Sequence, residues 1–335
     1  MNISTLVNDY AKNYSPYMGN FVNHLPMGQL ALYFMTNDLK RIADYSQYYV
    51  NRSGIDPIKN VDVVVKSIDD CLGNRDLYGP LLDYLDLNIN EENVDEYIDY
   101  ILNTYPLGMS SGLFHTLIRL AYAVEAYEED KSFLHEVNRA ISYYITGYKE
   151  AALFTRVINP DHIIEEFQAL RNNEKIEGLL DQHDSMGTKI KALYNNNEYM
   201  EKGFLLQGDQ GQKINAILDL ILPSFINSKG KGDILVLHCI TGLHALIVLK
   251  DYFSDFDQAL DIITTCIISH LMTLDYIDLS HIDMRPKDTF DMLISKGMES
   301  TDVHTIKLTY TTNEIYRIYN RDDLKGAAYK RIINT

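Results

Sequence analysis

The sequence predicts an all-α protein, a single large multi-helix domain over residues 1–335, and three observations predict it. Apolar residues recur at three- and four-residue steps through most of the chain. The breakers are local, with no long Ser/Pro linker to mark a domain boundary. No GxGxxG follows a strand and no Walker loop exists, which argues against a Rossmann or P-loop nucleotide site. The composition fits a folded globular chain: of 335 residues 46% are hydrophobic and 23% are charged.

The helical stripe is clearest at Leu113, Leu117, Leu120, Ala121, Val124 and Tyr127. Similar patterning covers Val137 to Tyr148, Ile163 to Leu170, Leu235 to Leu249, Ala259 to Leu271 and Ile306 to Tyr319. Capping residues precede several of these runs: Asp130 or Ser132, Asp161, and the Ser300-Thr301-Asp302 triplet. Breakers punctuate the chain at Gly54 and Pro57, Pro106 to Gly108, Asn159-Pro160, Gly208 to Gly211, Gly230 and Gly232, and Arg285-Pro286. Two β-branched runs, Val61 to Val65 and Ile234 to Leu237, have strand character. Both run on into helical periodicity and are expected to be helical.

Charge and cysteine usage exclude several functions. The 30 Lys+Arg against 47 Asp+Glu give a net charge of −17. Nucleic acid and anionic membrane are negative themselves, so neither is an expected partner. Cys71, Cys239 and Cys266 have neither finger nor CxxC spacing, so a disulfide framework and a zinc finger are not expected. Residues Met1 to Gly19 lack a basic segment followed by an apolar core, and no apolar run reaches membrane-spanning length. A soluble, cytoplasmic protein is expected.

The ten histidines carry the chemistry. His135, His162 and His183 sit among charged neighbours and read as solvated. His281 lies in a loop-like stretch. His270 closes an apolar helix, where a charged imidazole would suit the C-terminal dipole. His24, His115, His238, His244 and His304 each interrupt an apolar, helix-like segment. His24 precedes Pro26, a residue suited to the first turn of a helix. His304 and Lys307 are three apart and share a helix face. Each such histidine has an ordinary reading, a core imidazole bonded to a carbonyl. Lys307 alone has one too, a snorkelling side chain. A shared metal would satisfy several of these histidines at once, and imidazole suits Zn, Cu, Fe and Ni alike.

Four segments, in order, resemble the questin oxidase-like family: Phe21 to Tyr33 (FVNHLPMGQLALY), Gly112 to Glu125 (GLFHTLIRLAYAVE), Leu237 to Leu249 (LHCITGLHALIVL) and Asp302 to Tyr310 (DVHTIKLTY). The resemblance is weak from Ala151 to Lys229. It implies an oxidoreductase that opens an aromatic, quinone-type polyketide ring by oxygenation or Baeyer–Villiger-type chemistry. It also implies a non-haem Fe(II) site, or another divalent metal, held by His24, His115, His238, His304 and a carboxylated Lys307. His244 falls about 120° round a helix from His238 and is left out of this set. Arg119, at i+4 from His115, and Asp302, just before His304, are candidates to orient ligands or substrate. Glu125 reads as structural, and Met27, Tyr33 and Tyr122 as walls for a flat aromatic substrate.

Two other functions remain open on the sequence. One is a metal-free Baeyer–Villiger-type monooxygenase using NADPH, although no dinucleotide fingerprint is present. The other is a non-catalytic binding or scaffold protein, for which the charged, Asn-rich stretch Asn159 to Gln210 would be the partner surface.

Overall fold

The structure, a computed structural model, describes residues 2–19, 21–229, 231–280, 284 and 286–334. Expectations for Gly230, His281 and Arg285 therefore fall outside the described residues. The described chain carries seventeen α-helices: α1 (Ile3–Ala11), α2 (Leu25–Thr36), α3 (Leu39–Ser53), α4 (Tyr78–Asn88), α5 (Val94–Thr104), α6 (His115–Glu129), α7 (Leu134–Thr146), α8 (Ile163–Arg171), α9 (Glu174–Leu180), α10 (Met186–Tyr194), α11 (Asn197–Lys202), α12 (Gln210–Asn227), α13 (Lys231–Val248), α14 (Phe256–Met272), α15 (Phe290–Glu299), α16 (Val303–Tyr319) and α17 (Asp323–Ile333). Strands are few and short. β1 (Tyr17–Met18) pairs antiparallel with β2 (Phe21–Val22), and β3 (Arg156–Ile158) pairs parallel with β4 (Phe204–Leu206). The all-α expectation holds, and one contiguous apolar cluster runs through nearly all the helices.

Each strongly periodic segment becomes a helix. The centre of the body is α6, α13 and α16, with α6 against α13 and α7, and α16 against α13, α2 and α17. Asp302 caps α16 by accepting the Thr305 N–H at 2.8 Å. Asp130 caps the single 3-10 turn that leads into α7. Asn159, rather than Asp161, caps the turn before α8. No helix among the described residues is long and apolar enough to cross a membrane. Cys71, Cys239 and Cys266 are buried free thiols.

One element departs from expectation. Val61 to Val65 is irregular rather than helical, with Val64 84% exposed. The Val63 N–H bonds to the Val61 carbonyl at 2.9 Å, a three-residue turn. A β-branched run resists helix, and no described strand pairs with it. Ile234 to Leu237 does become helix, within α13. The stretch Asn159 to Gln210 folds into α8 to α11 and packs through β4 and α10 on α14.

Candidate metal centre

Four segments far apart in sequence bring imidazoles to one place, and each does so by a different local device. The β1–β2 hairpin delivers His24 to the start of α2, which carries Pro26 in its first turn. The His24 N–H donates to Tyr49 Oη at 3.0 Å, and Asn23 Oδ1 accepts the Leu25 N–H at 3.0 Å. His115 opens α6 after three successive residues in the left-handed region: Gly112 at φ 59°, Leu113 at 59° and Phe114 at 64°. Glycine adopts this freely, but Leu and Phe lose about 1–2 kcal/mol each there. The strained Phe114 is pinned by α13, since a Cβ on Gly242 would lie 2.7 Å from its ring. His238 sits one turn before Gly242 on α13. His304 lies in the first turn of α16, with Lys307 one turn further on the same face. Three helix N-termini therefore meet the flank of a fourth helix.

The rings lie close. Centroid separations are 4.5 Å for His24–His115, 4.3 Å for His115–His238, 4.9 Å for His24–His304 and 5.2 Å for His238–His304. One ligand atom from each of His24, His115 and His238 lies within 4.8 Å of the other two. Among the described residues this donor group contains imidazoles only, without a carboxylate or thiolate.

Protonation follows from the partners. His24 Nδ1 is 2.7 Å from the Val22 carbonyl and His238 Nδ1 2.7 Å from the Ile234 carbonyl, while His115 Nδ1 bonds to the Gly112 carbonyl. A carbonyl only accepts, so each Nδ1 carries the proton and donates. Each Nε2 is then left with a lone pair. His24 Nε2 and His115 Nε2 stand 2.6 Å apart, and His238 Nε2 is buried without a partner. Two facing lone pairs at that distance repel. Extra protons do not relieve them, because burial, the neighbouring imidazoles and Lys307 hold all four histidines well below the usual imidazole range. A cation shared by the lone pairs would turn the repulsion into ligation. The Nδ1–carbonyl bonds are the outer support that metal-bound imidazoles ordinarily have.

Lys307 is the remaining member of the expected set. It is fully buried, its Nζ has no hydrogen-bond partner, and burial pulls its pKa down to about 7, with Asp302 opposing weakly. A neutral buried amine is the form that adds carbon dioxide as a carbamate. Four neutral imidazoles bring no charge to balance a dication, and the three helix N-termini add partial positive charge. An anionic oxygen from Lys307 would supply the missing negative charge, so the residues present fit a divalent metal.

The remaining expectations divide. Asp302 lies 4.0 Å from His304 Nδ1, beyond hydrogen-bond reach, and accepts from the Thr305 N–H and from Arg331, each at 2.8 Å, so it holds the first turn of α16, which carries His304. Arg119 is brought to Glu136 on α7, with both its Nε and a terminal nitrogen at 2.8 Å from Glu136 Oε1. It ties two helices together. His244 faces the Tyr310 ring at 5.8 Å, outside the converging group. His270 is buried, bonds to the Cys266 carbonyl at 2.7 Å and is pushed down to about 4 by burial, so it is neutral and lends no charge to the helix end. His135 and His162 are exposed and pair with Asp86 and Glu165, as expected of solvated histidines.

A cavity of about 540 Å³ opens directly on His24 and His304. Its walls are Met18, Phe21 and Val22 from the hairpin, and Tyr48, Tyr49 and Arg52 from α3. The sequence pointed elsewhere for walls. Met27 is fully buried core, Tyr122 is buried against Phe34 and Tyr310, and Tyr33 packs on Phe34 and Phe133. Apolar periodicity finds the side of a helix that faces the core, whereas this cavity sits at the core's edge, with Phe21, Tyr48 and Arg52 exposed and Tyr49 buried. The exposed Phe21, beside the His24 segment, was the available signal.

A family model described as questin oxidase-like matches residues 21–312 of the chain. No curated protein matches it significantly.

Proposed function

Because the chain belongs to the questin oxidase-like family, we propose that it is a non-haem iron oxygenase that opens the ring of an aromatic, quinone-type substrate. His24, His115, His238 and His304, with Lys307 as a carbamate, hold Fe(II), and other divalent metals compete for the same donors. The observation that carries this reading is the confrontation of Nε2 lone pairs at 2.6 Å between His24 and His115, beside the unpartnered His238 Nε2 and Lys307 Nζ. Iron bound there supplies activation of dioxygen.

The chain's own residues do the rest. The Val22, Gly112 and Ile234 carbonyls hold three imidazoles in the tautomer that leaves Nε2 free. Asp302 caps the helix turn on which His304 sits. The burial of His115, His238 and Lys307 keeps water from that side of the centre. The cavity beside His24 and His304 takes the flat ring against Tyr48 and Phe21. A metal-free NADPH enzyme or a scaffold would give the opposed lone pairs no occupant, and neither reading is favoured by a feature of the site.

The test is oxygen uptake. Iron-loaded protein mixed anaerobically with a reduced anthraquinone and then exposed to oxygen should consume it well above the autoxidation rate. The uptake should disappear in His304→Ala. Uptake that is equal in loaded and metal-stripped protein would refute the proposal.

A further inference from the structure

The cavity beside the imidazoles carries a charged group that the core does not need. Two aromatic side chains on its walls are exposed, Phe21 at 78% and Tyr48 at 37%. Single exposed apolar residues are ordinary, but two aromatics on one cavity mouth beside a cluster of chemistry are a binding surface. Arg52 lies one helical turn after Tyr48 on α3. Its guanidinium sits 5.7 Å from the Tyr48 ring centroid, and Nη1 donates to Tyr48 Oη at 2.8 Å. Ring and phenol together fix where the planar fork lies.

Arg52 has no carboxylate partner among the described residues, in a chain with a net charge of −17. Asp302, the acid that also lines this cavity, is already engaged by Thr305 and Arg331. A guanidinium on a cavity wall without a carboxylate partner is suited to two parallel hydrogen bonds with a carboxylate.

We propose that Arg52 is a specificity residue that fixes a carboxylate carried by a planar aromatic ligand, whose ring lies against Tyr48 and Phe21 next to His24 and His304. The proposal rests on reading the imidazole cluster as the active centre. It adds the acidic substituent and the residue that recognises it.

The test is binding rather than turnover. Freshly purified protein is titrated calorimetrically with anthraquinone-2-carboxylate and with its neutral counterpart 2-(hydroxymethyl)anthraquinone, and metal content is measured on the same samples. The carboxylate should bind at least about tenfold tighter. Arg52→Gln should abolish that preference, leaving affinity for the neutral ligand within about twofold and metal content unchanged. Arg52→Lys, which keeps charge but not the fork, should retain only part of the preference. Phe21→Ala should weaken both ligands alike. No preference in the parent protein, no binding of either ligand, or a preference that survives Arg52→Gln would overturn the proposal. Metal present without an Arg52-dependent preference refutes the ligand assignment alone. An Arg52-dependent preference in protein that never binds metal upholds the carboxylate site and refutes the active-centre reading.

Discussion

Two buried polar groups share helix α6, and they are built on opposite principles. At Arg119, Glu136 and Arg139 unlike charges face each other. Arg119 and Glu136 meet at 2.8 Å, Arg139 approaches Glu136 at 3.6 Å, and Arg139 reaches Asn8 at 2.6 Å. Their mutual attraction accounts for their being together. At His24, His115, His238, His304 and Lys307 like groups face each other. Every carbonyl bond lies on the outside, and the atoms left over point inward at one another. The first group is explained by its own charges, although Arg119 Nη1, Glu136 Oε2 and Arg139 Nε are buried without hydrogen-bond partners, whereas the second opposes lone pairs that only a bound cation would reconcile. The lesson concerns buried histidines generally: a carbonyl on Nδ1 does not mark an imidazole as structural. The direction of the other nitrogen decides.

The sharpest way to break this contrast is to remove one member of each group. His238→Ala should abolish metal binding and, with it, the stabilisation a saturating metal confers, about 4 kcal/mol at a thousandfold excess over Kd. Its metal-free stability should change far less. Glu136→Ala should do the reverse. It strands two buried guanidinium groups and should cost about 3–5 kcal/mol, with metal content per folded molecule unchanged. Thermal melts with and without added metal separate the two. Parallel behaviour of the two variants would erase the distinction.

A third buried pair sharpens the comparison through pH. Glu125 bonds to Tyr310, and burial, with help from nearby acids, pushes its pKa up to about 7. Between its ordinary value near 4.5 and 7 the folded protein holds a proton that the unfolded chain has released. Stability therefore falls as pH rises through that window, by about 3 kcal/mol at most. Glu125→Gln should flatten the Tm profile between pH 4.5 and 7. An unchanged slope would place the titrating group elsewhere.

Lys307→Met should show opposite signs in two assays. Metal-free protein should gain about 1–3 kcal/mol, because a buried amine without a partner is removed. Metal affinity should fall. A loss of stability in the metal-free variant would mean that the amine is satisfied after all. The smallest effect on metal-free stability is expected at Asp302→Ala. Loss of the cap should cost about 1 kcal/mol. Loosening the turn that carries His304 should weaken metal binding by roughly 10–100-fold. A variant that loses only the cap energy would make Asp302 purely structural.

Much of this was legible in the sequence. The α13 and α16 runs stand out by period, and the i, i+3 spacing of His304 and Lys307 puts them on one face before any coordinates. Pro26 announces the helix that His24 opens. Other features depend on tertiary structure. Nothing in Leu113 or Phe114 signals a left-handed backbone, since neither prefers it, and the packing of Phe114 against Gly242 is a tertiary contact. The partner of Arg119 is on the next helix, so its i+4 spacing from His115 was a poor guide. Val61 to Val65 carries helical periodicity, but Val63 and Val64 are exposed, so burial gives a helix there no support. Core-facing stripes point to Met27, Tyr33 and Tyr122 as walls, whereas the cavity is lined by the β1–β2 hairpin and α3, where Phe21, Tyr48 and Arg52 are exposed.

The most direct measurement is elemental analysis of freshly purified protein beside His238→Ala prepared identically. One divalent metal ion per chain in the parent and a small fraction of that in the variant is the predicted result. A parent without metal, even after loading with Fe(II), or a variant that retains as much as the parent, would contradict the account.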